Sequence, residues 1–414
     1  MDRIGALSDD LLVKVLFYLP TKDAVSTSIL SKRWEHLWKW LPKLEFDDTD
    51  YSESRCERLR CFLLRSLPQH RAPVIETLHL KLSKSHFEPG VVKLMIAIAV
   101  SRHVRELDIS YSSDPEKSNI LPSNYLFTCK SLVVLKLEDG ILVDVPPTVC
   151  LPSLKTLQLQ RVAYVNEETL QRLLSSCPVL EELMVEIWED DTMRKFTVIV
   201  PSLQSLSLYI PYEYGIDGFE IKTPSLKYFK IKDHNSQSHY CLIENMPNLI
   251  EAYVDVEFPD INSLIGSITS VKRLEICSEV VYEEGFVFNK LEHLKLCRCK
   301  ECSSNLLVQL LKDSPNLRVL DLYEMIDHYY NGTVNWNQPS TVPLCMLSSL
   351  QVFNWSAYSG ASEERDLAIY ILENACRLKT ATISTDECDI PKLEMIKELA
   401  LCSRASTTCK FMFD

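Results

Sequence analysis

The chain has 414 residues, 57 of them acidic and 44 basic, for a net charge of −13. It therefore lacks the basic footprint that nucleic-acid binding needs and gains nothing from anionic lipid, which excludes both as partners. Glycine is scarce, nine in all, and neither GxGxxG nor GxxxxGK[ST] occurs; phosphate cradles need glycine for close backbone approach, so a nucleotide enzyme is excluded and no cofactor is expected.

The start, MDRIGALSDD, carries acids where a secretory leader needs an apolar core. The longest clean apolar run, Leu94 to Val100, is far short of the roughly 20 residues of a membrane span. Fifteen scattered cysteines fit a reducing cytoplasmic or nuclear setting. In that setting the triplets at Asn331 and Asn354 are chance matches to a glycosylation acceptor.

Two helical segments open the chain. Ser8 is placed to cap the first, and Asp9 and Asp10 favour the positive end of its dipole. Leu11, Leu12, Val15, Leu16 and Leu19 make one wide apolar stripe, and Pro20 stops the helix. Thr21 caps a second segment with Ala24, Val25 and Ser28 on one side, continuing through Ile29 and Leu30 to Trp34, Leu37, Trp38 and Leu41, with a break near Ser31. Three of the six tryptophans, Trp34, Trp38 and Trp40, fall within seven residues. About 40 residues is below the size that usually folds alone. The segment must bury its apolar surface on a neighbour, either the rest of the chain or another protein. It is also slightly basic, in contrast to the remainder, which weakly favours an acidic partner.

From 47 to 72 the chain reads as an acidic connector followed by a helix, with Cys56, Leu59, Phe62, Leu63 and Leu67 at helical spacing. Then the pattern apolar-x-x-apolar-x-apolar recurs thirteen times at intervals of 20 to 33 residues, beginning at Ile75, Val104, Leu132, Leu154, Leu180, Leu203, Leu226, Leu249, Val271, Leu291, Leu317, Leu350 and Leu378. The last two apolar positions lie two apart, on one face of a short strand. A unit of that length cannot bury its face alone, so copies stack into a solenoid. Residues 166–185 read as helix, turn at Pro178 and strand, with Asn166 as the cap and Leu170, Leu173, Leu174 and Cys177 inward. Residues 305–322 and 241–254 repeat that scheme around Pro315 and Pro247; copies such as those at Leu203 and Leu226 have room only for a loop or a 3₁₀ turn outside. The pattern lapses in a polar, aromatic loop at 324–345. A helix over Ser362 to Asn374 follows, with Leu367, Ile371 and Leu372 inward. The fold class is α/β: an all-helical N-terminal module, then a leucine-rich-repeat solenoid, a curved parallel sheet with helices and loops on its outer face.

Two stretches carry a family resemblance. LSDDLLVKVLFYLPTKDAVSTSILSKRWEHLWKWLPKLEF, Leu7 to Phe46, resembles an F-box, and LPTKDAVSTSILSKRW within it is specific for the plant versions that precede leucine-rich repeats. VPLCMLSSLQVFNWSAYSGASEERDLAIYILENACRLKTATIS, Val342 to Ser384, resembles the FBD segment that ends many such proteins. Ser8 departs from the proline many F-boxes carry there, and serine also caps a helix well. The resemblance divides the chain into an F-box at 1–46, a connector helix at 47–72, repeats at 73–340 and an FBD segment with terminal repeats and cap at 341–414.

The resemblance implies a substrate receptor. The F-box docks on the Skp-type linker of a cullin-RING ubiquitin ligase, and the other domain holds a protein substrate. It puts Leu7, Leu11, Leu12, Leu16, Leu19, Pro20, Ala24, Leu30 and Trp34 at the linker contact or in its immediate support. For Leu30 and Trp34, core and contact stay equally open. The alternatives are a scaffold that docks without delivering, a small-molecule-dependent receptor, and, least of all, an enzyme.

No HExxH, GxSxG or paired-acid arrangement occurs, so no catalytic residue is assigned. The densest cluster is His293, Cys297, Cys299 and Cys302, whose spacing lacks the separated pairs zinc prefers, so no metal is assigned. There His293, Lys295 and Cys297 are expected on the exposed face of a strand. The exposed residues of successive strands form the surface that would meet a substrate. Tyrosines are common interface anchors, and Tyr209, Tyr228, Lys230, Tyr253 and Tyr323 are the candidates for substrate contact.

Overall fold

The computed structural model describes residues 4, 7–83, 86–112, 119–120, 123–139, 141–187, 193–212, 215–235, 239–300, 303–325, 336–385 and 391–414. The chain divides into two compact units, Met1–Leu203 and Gln204–Asp414.

The first unit opens with helices α1 (Asp9–Leu16) and α2 (Thr21–Ser26), a 3₁₀ turn at Thr27–Ile29 and a longer 3₁₀ segment at Trp34–Trp40. The second helical segment thus breaks before Trp34, as expected, but its far half is 3₁₀ and not α. Strand β1 (Lys43–Asp47) and helix α3 (Glu53–Ser66) follow, and then β2 (Thr77–Ser83). In chain order β1, β2 and the strands Glu106–Ser112, Val134–Glu138, Thr156–Tyr164 and Glu182–Ile187 pair in parallel.

Their register explains the repeat. Leu44, Leu78, Leu107, Leu135, Leu157 and Leu183 form one column across the strands, and Phe46, Leu80, Ile109, Leu137, Leu159 and Val185 form the next. All twelve side chains are buried. Each strand stacks its apolar pair on the neighbour's at a spacing of about 4.8 Å, which is how units too small to have a core share one.

The second unit repeats the arrangement in Ser205–Ile210, Tyr228–Asp233, Glu251–Val256, Arg273–Ser278, His293–Cys297, Val319–Tyr323, Val352–Trp355, Thr380–Ile383 and Lys410–Phe413. The columns begin with Leu206, Phe229, Ala252 and Leu274, and with Leu208, Ile231, Val254 and Ile276. All thirteen sequence motifs are strands. Two ladder strands lie outside the thirteen copies: β1, which contains the expected domain boundary at 46, and Lys410–Phe413. Each pairs with a motif-bearing strand; β1 carries the same spacing in Leu41, Leu44 and Phe46, one copy ahead of the thirteen, whereas Lys410–Phe413 has Thr408 where the leading apolar residue would stand.

Outside the ladder the agreement is uneven. Helices at Glu168–Ser175, Ser303–Asp313 and Ser362–Asn374 bury the expected leucines and Ile371. Asn166 does not cap its helix: its side chain accepts from the Thr169 hydroxyl at 3.0 Å, and the helix starts at Glu168. The stretch ahead of Pro247 is not a helix but a strand, Tyr240–Ile243, parallel to Gly218–Lys222. Cys241 is buried there between exposed Tyr240 and Leu242, an alternation of period two that the short span before the proline permits. Asn331 and Cys302 lie outside the described residues, and the 324–345 loop is described only through 325 and from 336. Among the described residues no helix is long and apolar enough to cross a membrane.

Candidate functional site

The N-terminal module sorts its apolar residues into two sets. Leu12, Leu16, Ala24, Leu37, Trp38 and Leu41 are buried together, with Leu7, Val13, Phe17, Val25, Trp34 and Phe62 packed around them. That core is complete within the chain. Left over are Leu11, Val15, Tyr18, Leu19, Ile29 and Leu30, which are 46, 47, 85, 38, 89 and 64% exposed, together with Ile4 and Trp40 at 56 and 45%. Leu11 and Val15 lie one turn apart on α1, and Tyr18 and Leu19 occupy the turn that ends it. Arg33 reaches back to the start of α1, donating to the Asp9 carboxylate at 2.8 Å and to the Leu7 carbonyl, so the Leu30–Arg33 stretch is held alongside the helix.

Of the nine residues implied at the linker contact, Leu12, Leu16 and Ala24 are core, Leu7 and Trp34 support it, and Leu11, Leu19, Pro20 and Leu30 are exposed. Val15, Tyr18 and Ile29 join the exposed set. Val15 stands in the apolar stripe read from sequence, but α1 is apolar on two sides, and periodicity alone does not say which side the chain itself covers; Tyr18 and Ile29 lie beyond that helix. Pro20 also lines an open hollow of about 750 Å³ beside α2, with Lys22, Val25, Tyr51 and Phe62.

The module is fastened to the first repeat. The Glu45 amide donates to the Thr21 hydroxyl at 2.8 Å, and the Lys39 carbonyl accepts from Arg71 and Ala72. The Trp38 ring lies 5.2 Å from Phe62 and 6.4 Å from His70. His70 hydrogen-bonds the Leu41 carbonyl through Nε2 at 2.9 Å. Burial, and next the nearby Arg102 charge, pull its pKa down to about 4 against that hydrogen bond.

In the second unit four of the five candidate residues for substrate contact come together. The Lys230 ammonium lies 5.3 Å from the Tyr209 ring and 4.8 Å from the Tyr253 ring, and Lys295 sits 5.0 Å from Tyr323. The Tyr323 hydroxyl donates to Glu275 at 2.6 Å, and Lys295 pairs with the same carboxylate at 3.0 Å. Burial, reinforced by Glu275, pushes the Tyr323 phenol well above its ordinary pKa. Tyr228 stands apart at the start of its strand, opposite Glu251. Further along, His293 meets Asp321 at 2.6 Å and Asn354 donates to the same carboxylate. Burial alone would raise the Asp321 pKa, but these two hydrogen bonds hold it below the usual value. Lys295, Asp321, Tyr323, Asn354, Thr382 and Ser384 line a hollow of about 350 Å³. The face presents aromatic rings, the Lys230 ammonium set against two of them, and ion pairs such as Lys295 with Glu275, which is the chemistry of recognition.

Cys297 departs from expectation. It is buried, because Cys277, Cys299, Tyr323 and Met325 close over the end of its strand. His293 is engaged by Asp321, not by the thiols. Arg298, unmarked by any sequence pattern, is buried on the Trp355 ring, 4.5 Å from its centroid, and pairs with Glu324 and Glu364.

Comparison with known proteins adds three family matches. The F-box domain matches residues 4–46, the leucine-rich repeats described for FBD-associated F-box protein At5g56370 match 92–249, and the FBD segment matches 338–383. The chain is 59% identical to FBD-associated F-box protein At4g10400 of Arabidopsis thaliana, covering all of both chains. It is 53% identical to FBD-associated F-box protein At5g38590 of the same plant, over 96% of this chain and 98% of that one. F-box/FBD/LRR-repeat protein At5g56420, also from Arabidopsis thaliana, is 42% identical over 100% of this chain and 99% of the other.

Proposed function

Since the chain belongs to the plant FBD-associated F-box proteins with leucine-rich repeats, we propose that it is the substrate-recognition subunit of a Skp-cullin-F-box type ubiquitin ligase. F-box proteins are in general substrate adaptors that bind a Skp-type linker. Here the linker would cover the surface bearing Leu11, Val15, Leu19, Ile29 and Leu30, and bring cullin and RING subunits with it. The strand face around Tyr209, Lys230, Tyr253 and Tyr323 would hold a protein for ubiquitylation. The subunit would position a substrate lysine without catalysing the transfer, a proximity effect. Cytoplasm or nucleus is where it would act.

One observation carries this reading. The N-terminal module fills its own core and still leaves eight large apolar side chains 38% exposed or more. Water is a poor partner for such a set, and a protein surface is a good one. The hollow of about 350 Å³ at Asp321 and Tyr323 supports a variant in which a small ligand completes the substrate face, since it falls in the ~300–1,000 Å³ range of ligand sites.

The test is reconstitution. The chain, a Skp-type linker, cullin and RING subunits should assemble, and a protein accumulating on the chain under proteasome blockade should be ubiquitylated only by the assembly. Assembly without any ubiquitylated client would favour a scaffold instead.

A further inference from the structure

Three thiols converge at the ends of two neighbouring strands. The Ile276–Leu296 pairing sets Cys277 beside Cys297, and the chain then turns to bring Cys299 back onto both. The Cys299 sulfur lies 3.2 Å from that of Cys277 and 3.2 Å from that of Cys297. All three sulfurs fall within 4.8 Å of one another, and the residues are 0, 1 and 6% exposed. Met325 and Tyr323 pack against the cluster, and the Met325 thioether accepts from the Tyr253 hydroxyl at 3.5 Å.

A buried cysteine is ordinarily a small apolar filler. Filling does not require three polarisable atoms of one kind to meet at one point. Nor are any two of them bonded, since 3.2 Å is far beyond the ~2.05 Å of a disulfide. A donor set made of sulfur alone selects soft ions. Zinc wants four ligands from cysteine, histidine and carboxylate, and among the described residues the neighbour packed against the cluster that could add a fourth is a thioether, which suits copper(I).

We propose that Cys277, Cys297 and Cys299 form a three-sulfur site for copper(I), with the Met325 thioether at its margin. Metal–sulfur bonds of about 2.3 Å around one ion require the sulfurs to part to about 3.8–4.0 Å, a small side-chain rotation from their present positions. Each thiol that binds does so as a thiolate and gives its proton to water. The ion would tie the strand Arg273–Ser278 to the segment after Cys297, directly beneath Tyr253 and Tyr323. The site is independent of linker docking.

The test uses the full chain, reduced and kept free of oxygen, titrated with copper(I) against a chromogenic chelator. One ion per chain should be retained, with a near-ultraviolet sulfur-to-copper band and a melting temperature raised by several degrees. Cys299→Ser should weaken binding by more than about tenfold, whereas Cys61→Ser, at an exposed cysteine, should leave it unchanged. X-ray absorption at the copper edge gives a second measurement that needs no variant: a shell of sulfur at about 2.3 Å is expected. Loss of all copper to the chelator, equal retention by Cys299→Ser, a nitrogen or oxygen shell, or zinc held in preference would each overturn the proposal.

Discussion

The Arg298 guanidinium donates to the Glu364 carboxylate at 2.5 Å, and both groups lie almost wholly out of water. Arg298 follows a repeat strand, and Glu364 is on the helix Ser362–Asn374, inside the FBD match. The second carboxylate oxygen of Glu364 accepts from the Ser359 amide and hydroxyl, so its hydrogen-bonding capacity is used on both sides. This pair pins the FBD segment to the ladder.

Arg298→Met should therefore cost about 3–5 kcal/mol, because it strands a buried carboxylate. Arg298→Met with Glu364→Gln should recover part of the loss. Urea denaturation of the three proteins measures both effects. A single-variant loss under about 1 kcal/mol would mean that the pair is not what holds the segment.

Acid should loosen the junction between the N-terminal module and the first repeat through His70. Its pKa is depressed to about 4 in the fold, against 6.5 when unfolded. The unfolded state then binds the proton more readily, so this contribution is complete above about 6.5, declines as pH falls, and is lost below about 4. It amounts to roughly 3 kcal/mol. Tryptophan fluorescence during denaturation at several pH values reads it, since the Trp38 ring is 6.4 Å away. His70→Gln should flatten the pH dependence in that window; an unchanged slope would assign it to other groups.

Tyr323→Phe removes the hydroxyl that donates to Glu275 at 2.6 Å while Lys295 still neutralises the carboxylate. The expected stability loss is modest, about 1–2 kcal/mol. Lys230→Glu places a carboxylate between the faces of Tyr209 and Tyr253. It should leave linker binding intact and reduce capture of any substrate held on this face. Undiminished capture of an identified substrate would move the contact elsewhere.

Much of the ladder is legible in sequence because its signal is local. The apolar residues at fixed spacing within each copy are the residues that stack, from Leu78 to Ala381. The last strand is not, since Lys410–Phe413 lacks the leading apolar residue and owes its strand state to a neighbour's edge, whereas β1 does carry the pattern in Leu41, Leu44 and Phe46, a copy outside the thirteen. The site divides the same way. That α1 is an apolar helix is plain from Leu11 to Leu16, but which side is covered depends on Leu37, Trp38 and Leu41 arriving from another segment. Likewise Cys297 looks surface-facing by alternation and is buried by Cys277 of the preceding strand, by Cys299 just after its own, and by Tyr323 and Met325 at the end of the next. Such facts belong to tertiary packing, and no window of sequence contains them.

The docking surface can be separated from the core by paired variants. Leu16 is 1% exposed, so Leu16→Ala should destabilise the protein by about 2–5 kcal/mol whatever it binds. Leu11→Glu with Val15→Glu changes exposed positions and should leave the melting temperature nearly unchanged.

The affinity of the intact chain for a purified Skp-type linker, with and without Leu11→Glu and Val15→Glu, bears most directly on the whole account. Tight one-to-one binding that falls by more than about 100-fold in the folded double variant, a loss near 3 kcal/mol, is the predicted result. Absence of binding by the wild-type chain, or equal binding by the double variant, would contradict it.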